Sequence, residues 1–205
     1  MPRASRTATS ALHGARIALA GGLLLTGGAA NAAVGATAVA GGSLIVNGTL
    51  ANTTVNVSNN GTLGGNGTIG GDVILAPSGT VAPGAVGAVG ELDGNAFTWQ
   101  AGGAIAFQLG TNNAASDHLV FAGSLARQGT GTFQFKFTDG VAPPTPGTTY
   151  TLITFANQSG FSPTDFSYAY NGALSALNGQ FHLSATALTF SVISTPVELQ
   201  SFEVN

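Results

Sequence analysis

The chain has 205 residues, of which 44% are hydrophobic and only 6% are charged, and it contains no cysteine. The absence of cysteine excludes cysteine-based metal sites and thiol nucleophiles, and the hydrophobic content is too high for a disordered chain. Arg127 and Lys136 are the only strong bases after residue 32, which argues against nucleic-acid binding because phosphate contacts need clustered lysine and arginine.

The first 32 residues have the pattern of a secretory signal peptide. An arginine-rich start precedes a short apolar run at residues 17–26, and Ala30-Asn31-Ala32 is an A-x-A cleavage site. The apolar run is too short to cross about 30 Å of hydrocarbon, which favours a cleaved signal over a membrane anchor. We therefore predict that the mature chain begins at Ala33, has no transmembrane segment, and is secreted or displayed at the cell surface.

Residues 41–84 contain an internal repeat. Each copy places a small polar residue, a glycine, a threonine and an aliphatic residue in that order. The four copies are NGTL at 47–50, NGTL at 60–63, NGTI at 66–69 and SGTV at 78–81. Asn-Gly pairs tolerate the positive φ of tight corners. The pattern predicts a stacked solenoid of short strands, because one rung cannot bury its apolar face alone.

The aliphatic residue that ends each copy is expected to point into a thin continuous core, and the threonine before it is expected to point outward. The predicted core positions are Leu50, Leu63, Ile69 and Val81.

The same stretch resembles the passenger-associated repeat of bacterial autotransporters. The matching residues are GTLGGNGTIGGDV at 61–73 and SGTVAPG at 78–84. The resemblance implies an exported, bacterial β-helical protein at the outer membrane or cell surface. It implies no particular activity, since proteins of that fold serve as adhesins, proteases and inert stalks.

From residue 96 onward, aromatic residues appear and the predicted strands lengthen. Phe133, Phe135 and Phe137 alternate with polar residues, and residues 149–156 and 181–192 also have strand character. No segment has helical periodicity. The predicted fold is therefore all-β: a right-handed parallel β-solenoid followed by an aromatic-rich β module. We divide the chain into a signal peptide (1–32), a repeat region (33–90), an aromatic-rich module that continues or caps the solenoid (91–194), and a tail (195–205).

Two features concern the C-terminal part. Residues 85–205 are too few for the transmembrane barrel that ends an autotransporter, so we expect a passenger segment that lacks the translocator. The run PVELQSFEV at 196–204 is similar to the opening of sorting or surface-attachment domains in some Gram-negative bacteria. The alternative for this tail is an edge strand followed by a frayed terminus.

Two groups of residues were weighed as sites for catalysis or metal binding. Ser116, Asp117 and His118 are adjacent, but three consecutive strand residues alternate faces and cannot form a triad. Glu91 and Asp93 would share one face of a strand, an arrangement that suits glycoside hydrolysis or calcium binding, yet no second acidic cluster accompanies them. We predict no catalytic, cofactor-binding or metal-binding residues.

The leading hypothesis is a non-enzymatic surface protein with a structural or adhesive role, whose partners are extracellular glycans or proteins. The alternative is a carbohydrate-binding or carbohydrate-active β-helix. In that alternative, Trp99, or Tyr168 and Tyr170, would be exposed platforms on which sugar rings stack, with Glu91 or Asp93 nearby.

Overall fold

The computed structural model describes residues 35–51, 53–84 and 88–193, together with the backbone of four short strands before residue 35. Its strands, numbered in chain order, form three sheets. The first sheet consists, in spatial order, of β1 (Arg6–Thr7), β3 (Gly22–Leu25), β6 (Ser43–Val46), β9 (Thr62–Gly65), β12 (Thr80–Pro83), β15 (Ala104–Leu109), β18 (Phe133–Asp139) and β21 (Phe166–Tyr170). The second consists of β4 (Asn31–Ala32), β7 (Thr49–Ala51), β10 (Thr68–Ile69), β13 (Glu91–Gly94), β16 (His118–Phe121), β19 (Thr149–Thr154), β23 (Ala187–Val192) and β22 (Gly179–Leu183). The third consists of β2 (Arg16–Ile17), β5 (Thr37–Ala40), β8 (Val55–Ser58), β11 (Val73–Leu75), β14 (Phe97–Gln100), β17 (Ser124–Gln128) and β20 (Asn157–Ser159).

The chain visits the three sheets in a fixed order, which makes the fold a parallel β-helix. One rung is β6, β7 and β8, and the next is β9, β10 and β11, each strand pairing in parallel with its counterpart in the rung before. The same order continues to β21. The prediction of an all-β solenoid is confirmed. The predicted boundary between residues 90 and 91 lies inside continuous sheets, since β13 pairs with β10 and β14 with β11.

The core is built from ladders of equivalent side chains in successive rungs. In the first sheet, one ladder runs through Leu44, Leu63, Val81, Ile105 and Phe135, and each of these is at most 1% exposed. All four aliphatic residues predicted to point inward are at most 2% exposed, including Leu50 and Ile69. Of the threonines before them, those at 49 and 68 are exposed and those at 62 and 80 are half-buried. The predicted register is confirmed.

The corners between strands correct one detail of the sequence interpretation. At Asn60-Gly61, the asparagine rather than the glycine adopts the left-handed conformation, with φ of 63°. At Asn66-Gly67, neither residue has a positive φ. Glycine is needed there because a Cβ on Gly67 would lie 2.1 Å from the carbonyl oxygen of Gly48 in the preceding rung. Close stacking of backbone, as well as turn conformation, therefore explains the repeated Asn-Gly-Thr.

The rungs lengthen toward the C-terminus, and the wider core is filled by aromatic side chains. The rings of Phe97 and Phe121 stack with centroids 4.7 Å apart and planes 6° from parallel. Gly94 makes room for this stack, because a Cβ there would lie 2.5 Å from the Phe121 ring. Offset and edge-on aromatic contacts add stability beyond the area they bury.

A β-hairpin closes the C-terminal end of the helix. β23 pairs antiparallel with both β19 and β22, whereas the earlier strands that the structure describes pair in parallel from rung to rung. Phe181 of β22 lies against the end of the aromatic core, with its ring centroid 5.4 Å from that of Phe135 and 5.0 Å from that of Phe190. The aromatic-rich module thus both continues the solenoid and caps it, because the hairpin covers the end of the aromatic core.

Some predictions concern residues that the structure does not describe. The tail at 195–205 lies outside the described residues, as does most of the predicted signal peptide at 1–32. In the described ranges, no helix has the length and hydrophobicity of a membrane span; the helical segments there are two 3₁₀ turns, Asn113–Ala115 and Pro163–Asp165.

The inward ladder predicts a contrast between neighbouring residues. Leu63→Ala should lower the free energy of unfolding by about 2–4 kcal/mol, since it removes a fully buried side chain and leaves a cavity. Thr62→Ser, one residue earlier on the outward face, should cost less than about 1 kcal/mol. Denaturant unfolding of both variants measures the difference, and equal losses would contradict the register.

Candidate functional site

The indole of Trp99 belongs to the core and is not a platform for ligands. Trp99 is 0% exposed, and its Nε1 donates a hydrogen bond of 3.0 Å to the carbonyl oxygen of Gly103. The rings of Phe133 and Phe135 meet it edge-on at 5.5 and 5.3 Å. The predicted carbohydrate-stacking role for Trp99 is therefore wrong. Alternation in β14 directs the side chain inward, and no local pattern indicates a rung wide enough to enclose an indole.

Tyr168 and Tyr170 are half-buried and hold the chain that leads into the cap. The Tyr168 hydroxyl donates to the carbonyl oxygen of Leu177 at 2.8 Å and accepts from the amide of Gly179 at 3.1 Å. Its ring packs edge-on against Phe190 at 4.8 Å. These contacts occupy the Tyr168 ring and hydroxyl, so the predicted stacking platform is not an open ring face.

The Tyr170 hydroxyl donates to the carboxylate of Asp139 and accepts from the amide of Leu174 at 3.3 Å. The other Asp139 oxygen accepts from the amide of Ala173 at 2.7 Å. Burial, reinforced by the Asp139 carboxylate, raises the pKa of Tyr170. The hydrogen bonds of Tyr170 and Asp139 thus stabilise the turn that follows β21.

The acidic residues of β13 share the outward face of the second sheet, as predicted. Glu91 lies beside His118 in the next rung, and Asp93 accepts a hydrogen bond of 3.3 Å from the Thr68 hydroxyl. Burial lowers the pKa of His118, and the Glu91 carboxylate opposes that shift. Over the residues that the structure describes, no three His, Asp or Glu side chains are grouped so that they could hold a metal ion.

Asp117 is the most perturbed ionisable group among the described residues. It is 1% exposed, and its carboxylate accepts hydrogen bonds from the amide of Gly90 at 2.9 Å and from the amide of Gln108 at 2.7 Å. Burial raises the pKa of Asp117 to about 7, and the two hydrogen bonds oppose the shift. Ser116 is held separately, with its Oγ donating to Asn112 and accepting from Gly110. The adjacent Ser, Asp and His thus face different partners, and Asp117 joins the connector before β13 to β15.

The outward face of the first sheet carries the largest groove among those we describe. The groove has a volume of about 480 Å³ and crosses β12, β15 and β18. Thr80, Gln134 and Lys136 line it from the strands, and Asn60 and Ser78 line it from the corner. A second groove of about 260 Å³ follows on the same face and reaches Asp117 and Thr138.

The floor and one wall of the larger groove follow directly from the stacking. Gly79 has no side chain because a Cβ would lie 2.3 Å from the carbonyl oxygen of Val57, and Ala104 is the outward residue of the next strand. The corner forms a ladder of its own, in which the amide of Asn60 donates to Ser78 at 3.0 Å and that of Ser78 to Gly102 at 2.9 Å. The result is a shallow trough of backbone edged by hydroxyl, amide and ammonium groups.

Sequence reasoning did not single out this groove. In the sequence, Gln134 and Lys136 form the polar side of the Phe133–Phe137 alternation, and that pattern alone does not indicate a binding site. The signal that could have found the groove is the presence of Thr80 and Gln134 on one outward ladder, on either side of the small residue Ala104, which requires the pairing of strands that are far apart in sequence.

A scan of protein-family models finds no match to this chain, and no curated protein matches it either. The resemblance to the autotransporter repeat accordingly stands on the motif residues at 61–84.

Asp117 predicts a specific pH dependence of stability. Its pKa is about 7 in the folded chain against 3.8 for a free carboxyl group, so the folded state retains a proton that the unfolded state releases. The stability that Asp117 contributes is complete below pH 3.8 and is lost as the pH rises through about 7. Thermal unfolding of the unmodified chain and of Asp117→Asn, from pH 4 to 8, measures the contribution of Asp117 to the pH dependence of stability.

Asp117→Asn should be less stable at acid pH, because the amide can accept only one of the two hydrogen bonds. Its melting temperature should fall less than that of the unmodified chain between pH 4 and 8. Parallel curves for the two proteins would contradict the raised pKa of Asp117. Both proteins contain His118, so its contribution cancels when one curve is subtracted from the other.

Proposed function

We propose that this chain is an exported, non-enzymatic β-helical protein with a structural or adhesive role at the cell surface, and that its repeat is related to that of autotransporter passengers. The observation that carries the proposal is the continuous in-register stack of three parallel sheets, closed at one end by a hairpin. Such a stack is a stiff rod whose flat faces can be displayed to other surfaces. The Arg-rich start, apolar run and A-x-A site support export.

The composition agrees with an exposed rod of this kind. Outward positions are filled by Thr, Ser, Asn and Gln, and charge is sparse. Beyond residue 32 the chain carries two strong bases and eight acids, which gives a moderately acidic surface that helps to keep a flat-faced rod soluble.

Carbohydrate binding is the second candidate function, and the groove on the first sheet favours it. The earlier basis for this candidate, a set of exposed aromatic platforms, is weakened by the burial of Trp99. A trough lined by hydroxyl and amide groups offers both donors and acceptors to sugar hydroxyl groups. It lies on an outward sheet face, where an extended chain could reach it.

Processing and location test the first proposal. Cell fractionation followed by N-terminal sequencing should find the protein outside the inner membrane, beginning at Ala33. Ala32→Arg should retain the unprocessed chain, because the cleavage site requires small residues. Asn31→Gln, at the unrestricted middle position of the same site, is the matched control and should be processed normally. Recovery of the chain in the cytoplasm with Met1 or Pro2 at its start would overturn the proposal.

A further inference from the structure

We propose that the larger groove on the first sheet binds a linear acidic polysaccharide, with Lys136 contacting its carboxylate or sulfate groups. The inference rests on the proposed surface role and names its ligand class. It is argued from the charge of the groove, the chemistry of its lining and its shape.

The charge of the groove is set by one residue. Lys136 is the only lysine in the sequence and is exposed. Its partners on the adjoining strands are Ala106 and Ala169, so neither neighbour offers a carboxylate. In the described part of the chain, Arg127 and Asp165 form an ion pair at 3.4 Å and Lys136 forms none. The ammonium group is therefore available to an external anion.

Among the residues that the structure describes, the acidic side chains are placed so that they do not pair with this ammonium. Asp139 is bonded to Tyr170, and Asp72 accepts from Asn95 and from the amide of Ala96. Glu91 and Asp93 lie on the second sheet. In a chain of net negative charge, the larger groove thus carries one positive charge, that of Lys136, and no negative one in its lining. An anionic ligand is attracted to this charge and repelled by the carboxylates of the second sheet.

The lining favours a polysaccharide over a peptide. Asn60, Ser78, Thr80 and Gln134 supply amide and hydroxyl groups, and the floor is backbone with Ala104. This surface lacks the apolar pockets that hold peptide side chains. The groove also lies on a sheet face, with its strands paired on both sides, so it offers no free edge for an added strand. Sugar hydroxyl groups can donate to and accept from the hydroxyl and amide groups of this lining.

The dimensions suit an extended ligand. The groove crosses neighbouring strands that lie about 4.8 Å apart, which is close to the length of one sugar residue. Its volume of about 480 Å³ is in the range of sites for small organic ligands. The groove crosses β12, β15 and β18 in the direction in which the rungs stack, so a chain of a few sugars could lie along the axis of the β-helix.

The test uses the purified full chain and two polymers that share one sugar backbone, one with free carboxylates and one with methyl esters. Polygalacturonate presents one carboxylate per sugar, and its fully methyl-esterified form presents none. Titration calorimetry should show binding of polygalacturonate that is at least tenfold tighter than binding of the ester. Lys136→Gln should weaken polygalacturonate binding by about tenfold or more, as expected for the loss of one charge-assisted contact, and should leave the ester unaffected.

A matched variant tests whether binding depends on the position of the lysine or only on the net charge of the chain. The double variant Lys136→Gln, Asn56→Lys restores the lysine on the exposed face of the third sheet and should bind no better than Lys136→Gln alone. Thr80→Val, which removes a groove hydroxyl at nearly constant volume, should weaken both polymers. Unchanged circular dichroism and melting temperature establish that each variant is folded.

Three outcomes would overturn the inference: equal binding of the two polymers, unchanged binding by Lys136→Gln, or equally tight binding of poly-glutamate. The last would indicate an acidic peptide as the ligand. The assay is independent of cellular location. A protein that is found at the surface but fails to bind therefore contradicts only this inference, whereas cytoplasmic location contradicts only the proposed function.

Discussion

The whole molecule depends on the ladder of apolar side chains that repeats from rung to rung in one register. Leu44, Leu63, Val81 and Ile105 each lie directly above or below their neighbours, and each is at most 1% exposed. A fully buried aliphatic side chain contributes about 1.5–3 kcal/mol, but only when the next rung covers it. Stability is therefore shared between neighbours, and a shift by one residue would turn the entire ladder outward.

After residue 90 the rungs are longer, and this length determines how the core and the corners of the C-terminal part are built. A wider rung leaves more core volume, which aromatic rings fill, and longer corners, whose backbone groups lose their partners in the sheets. Polar side chains supply new partners at these corners. Asp117 binds two amides there, and the buried Tyr150 hydroxyl donates to the carbonyl oxygen of Gly110 at 2.8 Å. Burial at this position raises the pKa of Asp117, and the two hydrogen bonds oppose the shift, so the perturbed carboxyl group is explained by its structural role.

The local pattern was sufficient to predict the strands, the buried positions of the repeat and a cap at the C-terminal end. It could not predict the width of the core, because width depends on how strands distant in sequence align. For this reason the carbohydrate-binding alternative expects Trp99 at the surface, although its indole is enclosed by Phe133 and Phe135. The groove could not be predicted from the sequence for the same reason. Thr80 and Gln134 lie in different rungs, and only the three-dimensional stack brings them to one face.

Because the chain has no cysteine, a pair of introduced cysteines can carry spin labels without interference, and one distance then tests the stacked architecture directly. Ser43 and Gln134 lie on the outward side of one ladder, which passes through Thr62, Thr80 and Ala104. At about 4.8 Å per strand, labels on Ser43→Cys and Gln134→Cys should be about 19 Å apart with a narrow distribution. A broad distribution, or a distance beyond about 30 Å, would contradict in-register stacking, which at that strand spacing fixes the span.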